Sequence, residues 1–220
     1  MSLRVGLTGG LASGKTTVAK MFASRGAHVL YADKVGHELM EPGQPVYEKI
    51  IGHFGDSIIN CDKTINRPKL AEIAFGTGRI EELNRIVHPA VGARLESWIE
   101  EMSEFDPRAI LIFEAALILE AGLGKHFDKL VVVSSQPQQK LERFANRMLN
   151  AGLEDELSRA KLLSEAERRI GAQLSDQEKI AAADYVIDNS GELSQTERQV
   201  NKIYKELQQL AAAKRLHSPA

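Results

Sequence analysis

Residues 9–16 read Gly9-Gly10-Leu11-Ala12-Ser13-Gly14-Lys15-Thr16. An apolar run at 4–8 precedes this stretch and predicts a short buried strand, and residues 17–23 after it predict a helix. The stretch fits the phosphate-loop pattern G-x-x-x-x-G-K-[ST]. We therefore expect a strand, a glycine-rich turn and a helix that together bind phosphate.

The residue types in this turn suit a nucleotide. Glycines let the backbone curl so that successive N–H groups converge on an anion. The first helical turn adds unpaired N–H groups and the positive end of the helix dipole. Lys15 can reach the outer phosphates, and the Thr16 hydroxyl can bind Mg²⁺. We expect the nucleotide to contact Gly9, Gly10, Leu11, Ala12, Ser13, Gly14, Lys15, Thr16 and Thr17.

Size and composition narrow the class of protein. At 220 residues the chain is long enough for one α/β domain with an insertion. A net charge of −2 argues against a nucleic-acid or membrane partner. The single cysteine, Cys61, cannot form an internal disulfide, and no early stretch is typical of a signal peptide. We expect a cytoplasmic protein that is a monomer or a weak homo-oligomer.

A further candidate functional residue follows the second predicted strand, which spans residues 27–32. Asp33 stands at its carboxyl end, where open parallel sheets bind their ligands. It could serve as a base or as an acid associated with a metal. It could equally cap the helix predicted at 34–40, because aspartate is common at that position. Position alone leaves both alternatives open.

Residues 34–104 have no strong strand pattern and predict a helical insertion. The apolar spacing favours helices at 46–54, 69–75, 79–87 and 89–102. Such an insertion could form a flap that binds a substrate. Arg67 begins one helix and is either a ligand or a surface charge. His88 precedes Pro89 and is either a ligand or a histidine at a helix boundary.

The carboxyl-terminal half of the chain contains further predicted strands. Apolar runs at 109–113 and 129–133 predict buried parallel strands, and the first ends in Glu114, a weak candidate for holding magnesium. Arg143 and Arg147 lie four residues apart on a predicted helix at 137–148 and therefore share one face.

The segment at 150–174 is polar and basic. It is either a mobile lid that closes over a nucleotide or a solvated helical pair. After it, Ser175 and Ser194 each begin a predicted capping box, the second before a helix to about residue 210. A short strand is predicted at 185–188, and residues 211–220 are expected to fray.

Several stretches, in order along residues 5–191, carry a family resemblance. They are Leu7-Thr8-Gly9-Gly10, Ser13-Gly14-Lys15-Thr16-Thr17-Val18-Ala19, Ala32-Asp33, Glu41-Pro42-Gly43, Asn66-Arg67 with Leu70-Ala71, Leu83-Asn84 with Val87-His88-Pro89, Arg143 with Arg147, and Val186-Ile187-Asp188-Asn189-Ser190-Gly191. In their order and spacing they resemble the dephospho-CoA kinases, phosphate-loop enzymes similar to nucleoside monophosphate kinases.

The resemblance implies a three-layer α/β fold of the P-loop NTP hydrolase class, with a five-stranded parallel sheet, a helical substrate-binding insertion and a lid. In this chain the core would comprise 1–33, 105–140 and 175–210, the insertion 34–104 and the lid 141–174. The implied reaction is ATP-dependent phosphorylation of the ribose 3′-hydroxyl of dephospho-CoA, which yields CoA and ADP.

The resemblance also implies roles for particular residues. Asp33 would be the catalytic base, Lys15 would stabilise the moving phosphoryl group, and Thr16 would hold Mg²⁺. Either Arg143 or Arg147 would neutralise charge in the transition state. Two further residues, Arg67 and His88, would belong to the acceptor side.

The chain departs from the family pattern at three places. Ala12 stands where glycine is usual, so its φ is expected to stay negative. The family's acidic-x-Pro-Leu-Leu stretch is Glu114-Ala115-Ala116-Leu117-Ile118 here, without the proline. The segment at 150–164 is longer than the lid of the family.

Two other functions compete with this one. Another phosphate-loop small-molecule or nucleoside monophosphate kinase would share the ATP side and differ in the insertion. A GTP-driven switch is suggested by D-x-x-G at Asp33-Lys34-Val35-Gly36, although the chain has no N-K-x-D for guanine.

Overall fold

A five-stranded sheet forms the centre of the fold. The computed structural model describes residues 2–150 and 156–216. The strands are β1 (Leu3–Gly9), β2 (His28–Tyr31), β3 (Ile110–Glu114), β4 (Lys129–Ser134) and β5 (Tyr185–Asp188). Their order in the sheet is β2-β3-β1-β4-β5. Strand β1 pairs in parallel with β3 and β4, and β4 pairs in parallel with β5, which agrees with the predicted parallel sheet.

The described residues form nine α-helices. They are α1 (Lys15–Ala23), α2 (Ala32–Leu39), α3 (Pro45–Phe54), α4 (Arg67–Gly76), α5 (Ile80–Phe105), α6 (Pro137–Leu149), α7 (Glu156–Gly171), α8 (Asp176–Ala181) and α9 (Leu193–Leu216). Strand β3 is buried along its whole length and β4 along all but its two ends. Helices must therefore cover both faces of the sheet, as in other parallel sheets.

The chain divides into two compact units. The first comprises residues 1–30 and 102–220 and contains the phosphate loop, and the second comprises 31–101. The second unit has a hydrophobic core of its own, formed by Val46, Tyr47, Ile50, Phe54, Ile58, Ile65, Leu70 and Ala74. The Tyr47 hydroxyl donates a hydrogen bond of 2.5 Å to the Lys63 carbonyl, which ties α3 to the loop before α4.

The prediction of two helices separated at His88 and Pro89 was wrong. One helix of 26 residues, α5, runs through Pro89 without ending. Proline lacks an N–H group, so it removes one hydrogen bond of the helix and crowds the preceding turn. The hydrogen bonds of the flanking turns outweigh this local loss. His88 therefore lies in mid-helix and not at a boundary.

The predictions for the last helix were also wrong. Helix α9 begins at Leu193, so Ser194 lies inside its first turn and does not cap it. The helix continues to Leu216, through most of the segment expected to fray, and residues 217–220 lie outside the described residues. Lys214 anchors this end because its ammonium contacts Asp128 at 2.6 Å. The other predicted capping box, at Ser175, is confirmed.

The basic segment at 150–174 is helical where it is described. Its described part contains one helix, α7, which packs against the preceding helix α6 and not against a second helix of the same segment. Residues 151–155 lie outside the described residues, so the expectation of a mobile lid is not addressed there. Along the described ranges, no helix is both long enough and apolar enough to cross a membrane.

Candidate active site

The phosphate loop connects β1 to α1 and is closed around Lys15. The Lys15 side chain is buried, and its ammonium donates hydrogen bonds to the Gly9 carbonyl at 3.0 Å and the Gly10 carbonyl at 2.9 Å. Gly14 is the N-cap residue of α1 and has a left-handed conformation with a φ of 96°. The lysine charge and the first N–H groups of the helix therefore belong to one short turn, which suits a polyphosphate.

The prediction of a negative φ at Ala12 was wrong, because its φ is 53°. Anion-binding turns alternate right-handed and left-handed residues so that neighbouring N–H groups point inward. The left-handed conformation costs an alanine on the order of 1–2 kcal/mol. A hydrogen bond of 3.3 Å from Ser13 N to the Gly10 carbonyl closes the turn and helps to offset this cost.

Gly14 is the position at which the loop depends most directly on glycine. A Cβ atom here would lie 2.0 Å from Asn189 Nδ2, and the positive φ is unfavourable for any larger residue. We expect Gly14→Ala to weaken ATP binding at least tenfold, because either the loop or the Asn189 side chain must move. Isothermal titration calorimetry with ATP measures this loss.

Gly52→Ala is the matched control. Gly52 lies in α3, and a Cβ atom there would meet nothing within 4 Å. This change should leave the Kd of ATP unaltered and raise the stability by up to about 1 kcal/mol. A Gly14→Ala variant that binds ATP like the wild type would refute the role given to this geometry.

Arg143 lies beside the phosphate loop in the first unit. Its Nη2 atom donates a hydrogen bond of 2.9 Å to the Asn189 carbonyl. Its Nη1 atom is buried and has no hydrogen-bond partner among the described residues. Arg143 lines a pocket of about 280 Å³ together with Gly14, Thr17, Asn189, Gly191 and Leu193. The Arg143 guanidinium and Gly14 of the phosphate loop therefore line the same cavity.

Arg147 is not among the residues that line this pocket. Its guanidinium lies 5.7 Å from the centre of the Phe144 ring, and that of Arg169 lies 5.6 Å from the same ring. Arg169 is also paired with Glu165 at 2.6 Å. Although Arg143 and Arg147 share a helix face, only Arg143 lines the pocket beside the loop.

Asp33 belongs to the second unit and lies in the first turn of α2. Tyr31 is the N-cap residue of this helix, so the alternative of Asp33 as its cap is wrong. The Asp33 side chain is exposed. His37 follows four residues later on the same face of the helix. It lines a pocket that lies entirely within this unit.

That pocket has a volume of about 410 Å³ and a largely polar wall. Its wall is formed by His37, Met40, Glu41, Asn60, Thr64, Ile65, Asn66, Arg67 and Pro68. Arg67 is exposed and stands in the first turn of α4, after the N-cap residue Asn66. The arginine charge and the first N–H groups of α4 favour an anionic group in this pocket.

His88 is exposed in α5 and is not among the residues that line this pocket. Partial desolvation of the ring by its neighbours lowers the pKa of His88 below its ordinary value. The imidazole is therefore neutral at pH 7. This state suits a hydrogen bond to a ligand better than a charge interaction.

The side chains that the structure describes do not by themselves form a metal site. Within residues 2–150 and 156–216, no group of three or more His, Cys, Asp or Glu side chains is placed to hold a metal ion. Magnesium usually takes only one or two protein ligands and completes its shell with phosphate oxygens and water. Thr16 is exposed at the start of α1 and fits such a site. Glu114 is buried at the end of β3, next to β1.

Sequence reasoning did not assign a role to Asn189, Thr196 or Gln173. Asn189 Nδ2 donates to the Ser13 carbonyl at 2.8 Å, and the Gln173 side-chain oxygen accepts from Leu11 N at 3.2 Å. Asn189 belongs to a motif that carried the family resemblance, which was a signal for it. Thr196 and Gln173 had no such signal, because each lies far along the chain from the loop.

Known proteins resemble this chain over almost its whole length. The family model described as dephospho-CoA kinase matches residues 3–195. A dephospho-CoA kinase from Aquifex aeolicus is 40% identical over 205 residues, which cover 93% of this chain and 97% of the relative. One from Leifsonia xyli is 39% identical over 201 residues, covering 91% and 96%. The solved structure of dephospho-CoA kinase from Campylobacter jejuni has a TM-score of 0.68 at 23% identity and covers 95% of this chain and 98% of its own.

The parallel sheet and its phosphate loop define a protein of the P-loop NTP hydrolase fold, so the predicted fold class is confirmed. The family-model match over residues 3–195 identifies one particular family within this class. The chain belongs to the dephospho-CoA kinase family. This confirms the family and the enzyme class predicted from the sequence. The GTP-switch alternative fails, and its D-x-x-G residues lie within α2.

Proposed function

We propose that this chain transfers the γ-phosphoryl group of ATP to the ribose 3′-hydroxyl of dephospho-CoA, giving CoA and ADP. This is the last step of coenzyme A biosynthesis. The main observation in support is a closed phosphate loop with a buried lysine, in a chain that matches the dephospho-CoA kinase family over residues 3–195. We propose that the reaction takes place in the cytoplasm.

ATP binds to the first unit. Its β- and γ-phosphates contact the loop amides and Lys15, and its base and ribose enter the pocket beside Gly14, Thr17 and Arg143. The volume of about 280 Å³ is consistent with part of a nucleoside. The unpartnered Nη1 atom of Arg143 supports a ligand there, since a buried donor without a partner is costly.

The Thr16 hydroxyl would hold Mg²⁺ together with phosphate oxygens of ATP. When bound, Mg²⁺ neutralises charge on the phosphates and orients them. The exposed hydroxyl at the start of α1 supports this assignment. Lys15 contributes a fixed positive charge to the same phosphates.

Dephospho-CoA binds to the second unit, with its ribose near Asp33 and an anionic part in the pocket of about 410 Å³. Two observations support this proposal. Asp33 and His37 share a face of α2, and His37 lines the pocket. Arg67 contributes a positive charge to the pocket wall, which also carries the Glu41 carboxylate, and the Arg67 charge matches the diphosphate of the acceptor. His88 offers a neutral imidazole to the acceptor from α5.

The chemical step is an in-line displacement. The 3′-hydroxyl oxygen forms a bond to the γ-phosphorus while the bond between that phosphorus and the β,γ-bridging oxygen breaks. Asp33 accepts the hydroxyl proton, and ADP leaves with the bridging oxygen. Of the two lid arginines, we favour Arg143 over Arg147 for stabilising the transferred group, because only Arg143 lines the pocket beside the loop.

We also propose the division of labour along the chain that the family resemblance implies. The core of 1–33, 105–140 and 175–210 binds ATP, the insertion of 34–104 binds the acceptor, and the segment 141–174 acts as the lid. The separate hydrophobic core within residues 31–101 supports an insertion that folds as a unit.

A coupled assay of ADP release tests the substrate. We expect turnover with dephospho-CoA to exceed that with AMP, CMP or shikimate by at least a hundredfold at equal concentration, because only dephospho-CoA fills both the Asp33 region and the Arg67 pocket. The same assay without an acceptor measures background hydrolysis. Equal or greater turnover of a nucleoside monophosphate would refute the proposal and favour the other phosphate-loop kinases.

A further inference from the structure

Every polar group of Asn189 is used inside the first unit. Its backbone N–H donates to the Ser134 carbonyl at 2.8 Å, and its own carbonyl accepts from Arg143 at 2.9 Å. Its side-chain nitrogen donates to the Ser13 carbonyl at 2.8 Å. Its side-chain oxygen accepts from the Thr196 hydroxyl at 2.9 Å. Asn189 therefore connects the end of β5, helix α9, Arg143 and the phosphate loop.

These partners leave the Asn189 amide only one orientation. The Ser13 carbonyl can only accept a hydrogen bond, so the amide nitrogen must face it. The amide oxygen then faces Thr196, whose hydroxyl donates to it. Asn189 is 7% exposed and Thr196 is fully buried. A buried network in which each group has a partner is rigid, because any rotation leaves a donor or an acceptor unpaired.

The direction of one loop amide follows from this contact. A peptide unit is planar and trans, so the Ser13 carbonyl and the Gly14 N–H point in opposite directions. Holding the carbonyl against Asn189 therefore turns the Gly14 N–H away from Asn189. Among the described residues this N–H donates to no acceptor. It remains available to a bound anion.

We infer that Asn189, held in place by Thr196, is a positioning residue that aims the Gly14 N–H at a phosphate of the nucleotide. This role rests on the proposed function, because it requires a nucleotide in the loop. The Asn189 amide oxygen and one N–H of its amide nitrogen are both engaged by protein groups. Its contribution is to fix the shape of the loop before ATP arrives.

The test compares two replacements of Thr196. Thr196→Val has nearly the same shape but lacks the hydroxyl, and Thr196→Ser keeps it. We expect Thr196→Val to raise the KM of ATP about tenfold and to leave the KM of dephospho-CoA within twofold of the wild type. Thr196→Ser should restore the KM of ATP to within about threefold of the wild type.

Thr77→Val is the control for loss of a hydrogen-bonding hydroxyl, because Thr77 donates its hydroxyl to the backbone carbonyl of Ile73 and lies in the second unit. It should leave both KM values unchanged. The inference is overturned if Thr196→Val keeps a wild-type KM for ATP, or if it raises both KM values equally. Phosphorylation of dephospho-CoA by the wild-type enzyme decides the proposed function separately.

A measurement on the wild-type protein covers the case in which Thr196→Val does not fold. The amide signal of Gly14 is followed by ¹⁵N NMR during titration with MgADP. We expect it to shift strongly at saturation, since the N–H gains a charged acceptor. A Gly14 signal that does not move while ADP binds would overturn the inference.

Discussion

Replacing Asp33 by asparagine should lower kcat by roughly a thousandfold and leave the Kd of ATP within about twofold of the wild type. Asparagine has nearly the same shape as aspartate, but its amide cannot accept the proton of the acceptor hydroxyl. ATP affinity should persist because the loop that binds the phosphates is unchanged. Steady-state kinetics with dephospho-CoA and calorimetry with ATP measure the two effects.

The free energy of unfolding distinguishes the loss of a catalytic base from a destabilisation of helix α2. Tyr31 is the N-cap residue of α2, so Asp33→Asn removes only a negative charge from the first helical turn. That charge contributes about 0.3–1 kcal/mol. Asp56→Asn makes the same chemical change at another exposed position of the second unit and should leave kcat unaltered. If Asp33→Asn retains kcat within a few-fold, the carboxylate serves only the helix and the mechanism is wrong.

Lys15→Ala should lower kcat/KM for ATP by about a hundred- to a thousandfold. In the proposed mechanism the ammonium stabilises charge on the transferred phosphoryl group, and in the structure it donates hydrogen bonds to the carbonyls of Gly9 and Gly10. Removing it therefore costs transition-state stabilisation and loosens the loop. Initial rates at varied ATP concentration measure the loss, and the melting temperature shows whether the fold survives.

The control for Lys15 lies on the same helix. Lys20 is exposed in α1, and Lys20→Ala removes the same side chain from a position away from the loop. Its kcat/KM for ATP should match the wild type. An unchanged kcat/KM in Lys15→Ala would refute the role of this lysine and, with it, the assignment of the loop to the nucleotide.

Sequence reasoning succeeded where the signal is local. The phosphate loop, the buried strands and the capping box at Ser175 each depend on residues close together in the chain, and each is found where it was predicted. It failed where neighbouring structure overrides a local preference. Pro89 does not end α5, and Ala12 adopts a positive φ because the curl of the loop requires it.

The amino-acid order alone was enough to predict the family, the parallel sheet and the phosphate loop, because these follow from motifs and from hydrophobic periodicity along the chain. Only the folded molecule separated Arg143 from Arg147, because both occupy one helix face and only one lines the cavity beside Gly14. Only the folded molecule brought Asn189 to Ser13, which are 176 residues apart. Such contacts depend on how β5 and α9 pack against the loop, and sequence motifs and hydrophobic periodicity do not predict that packing.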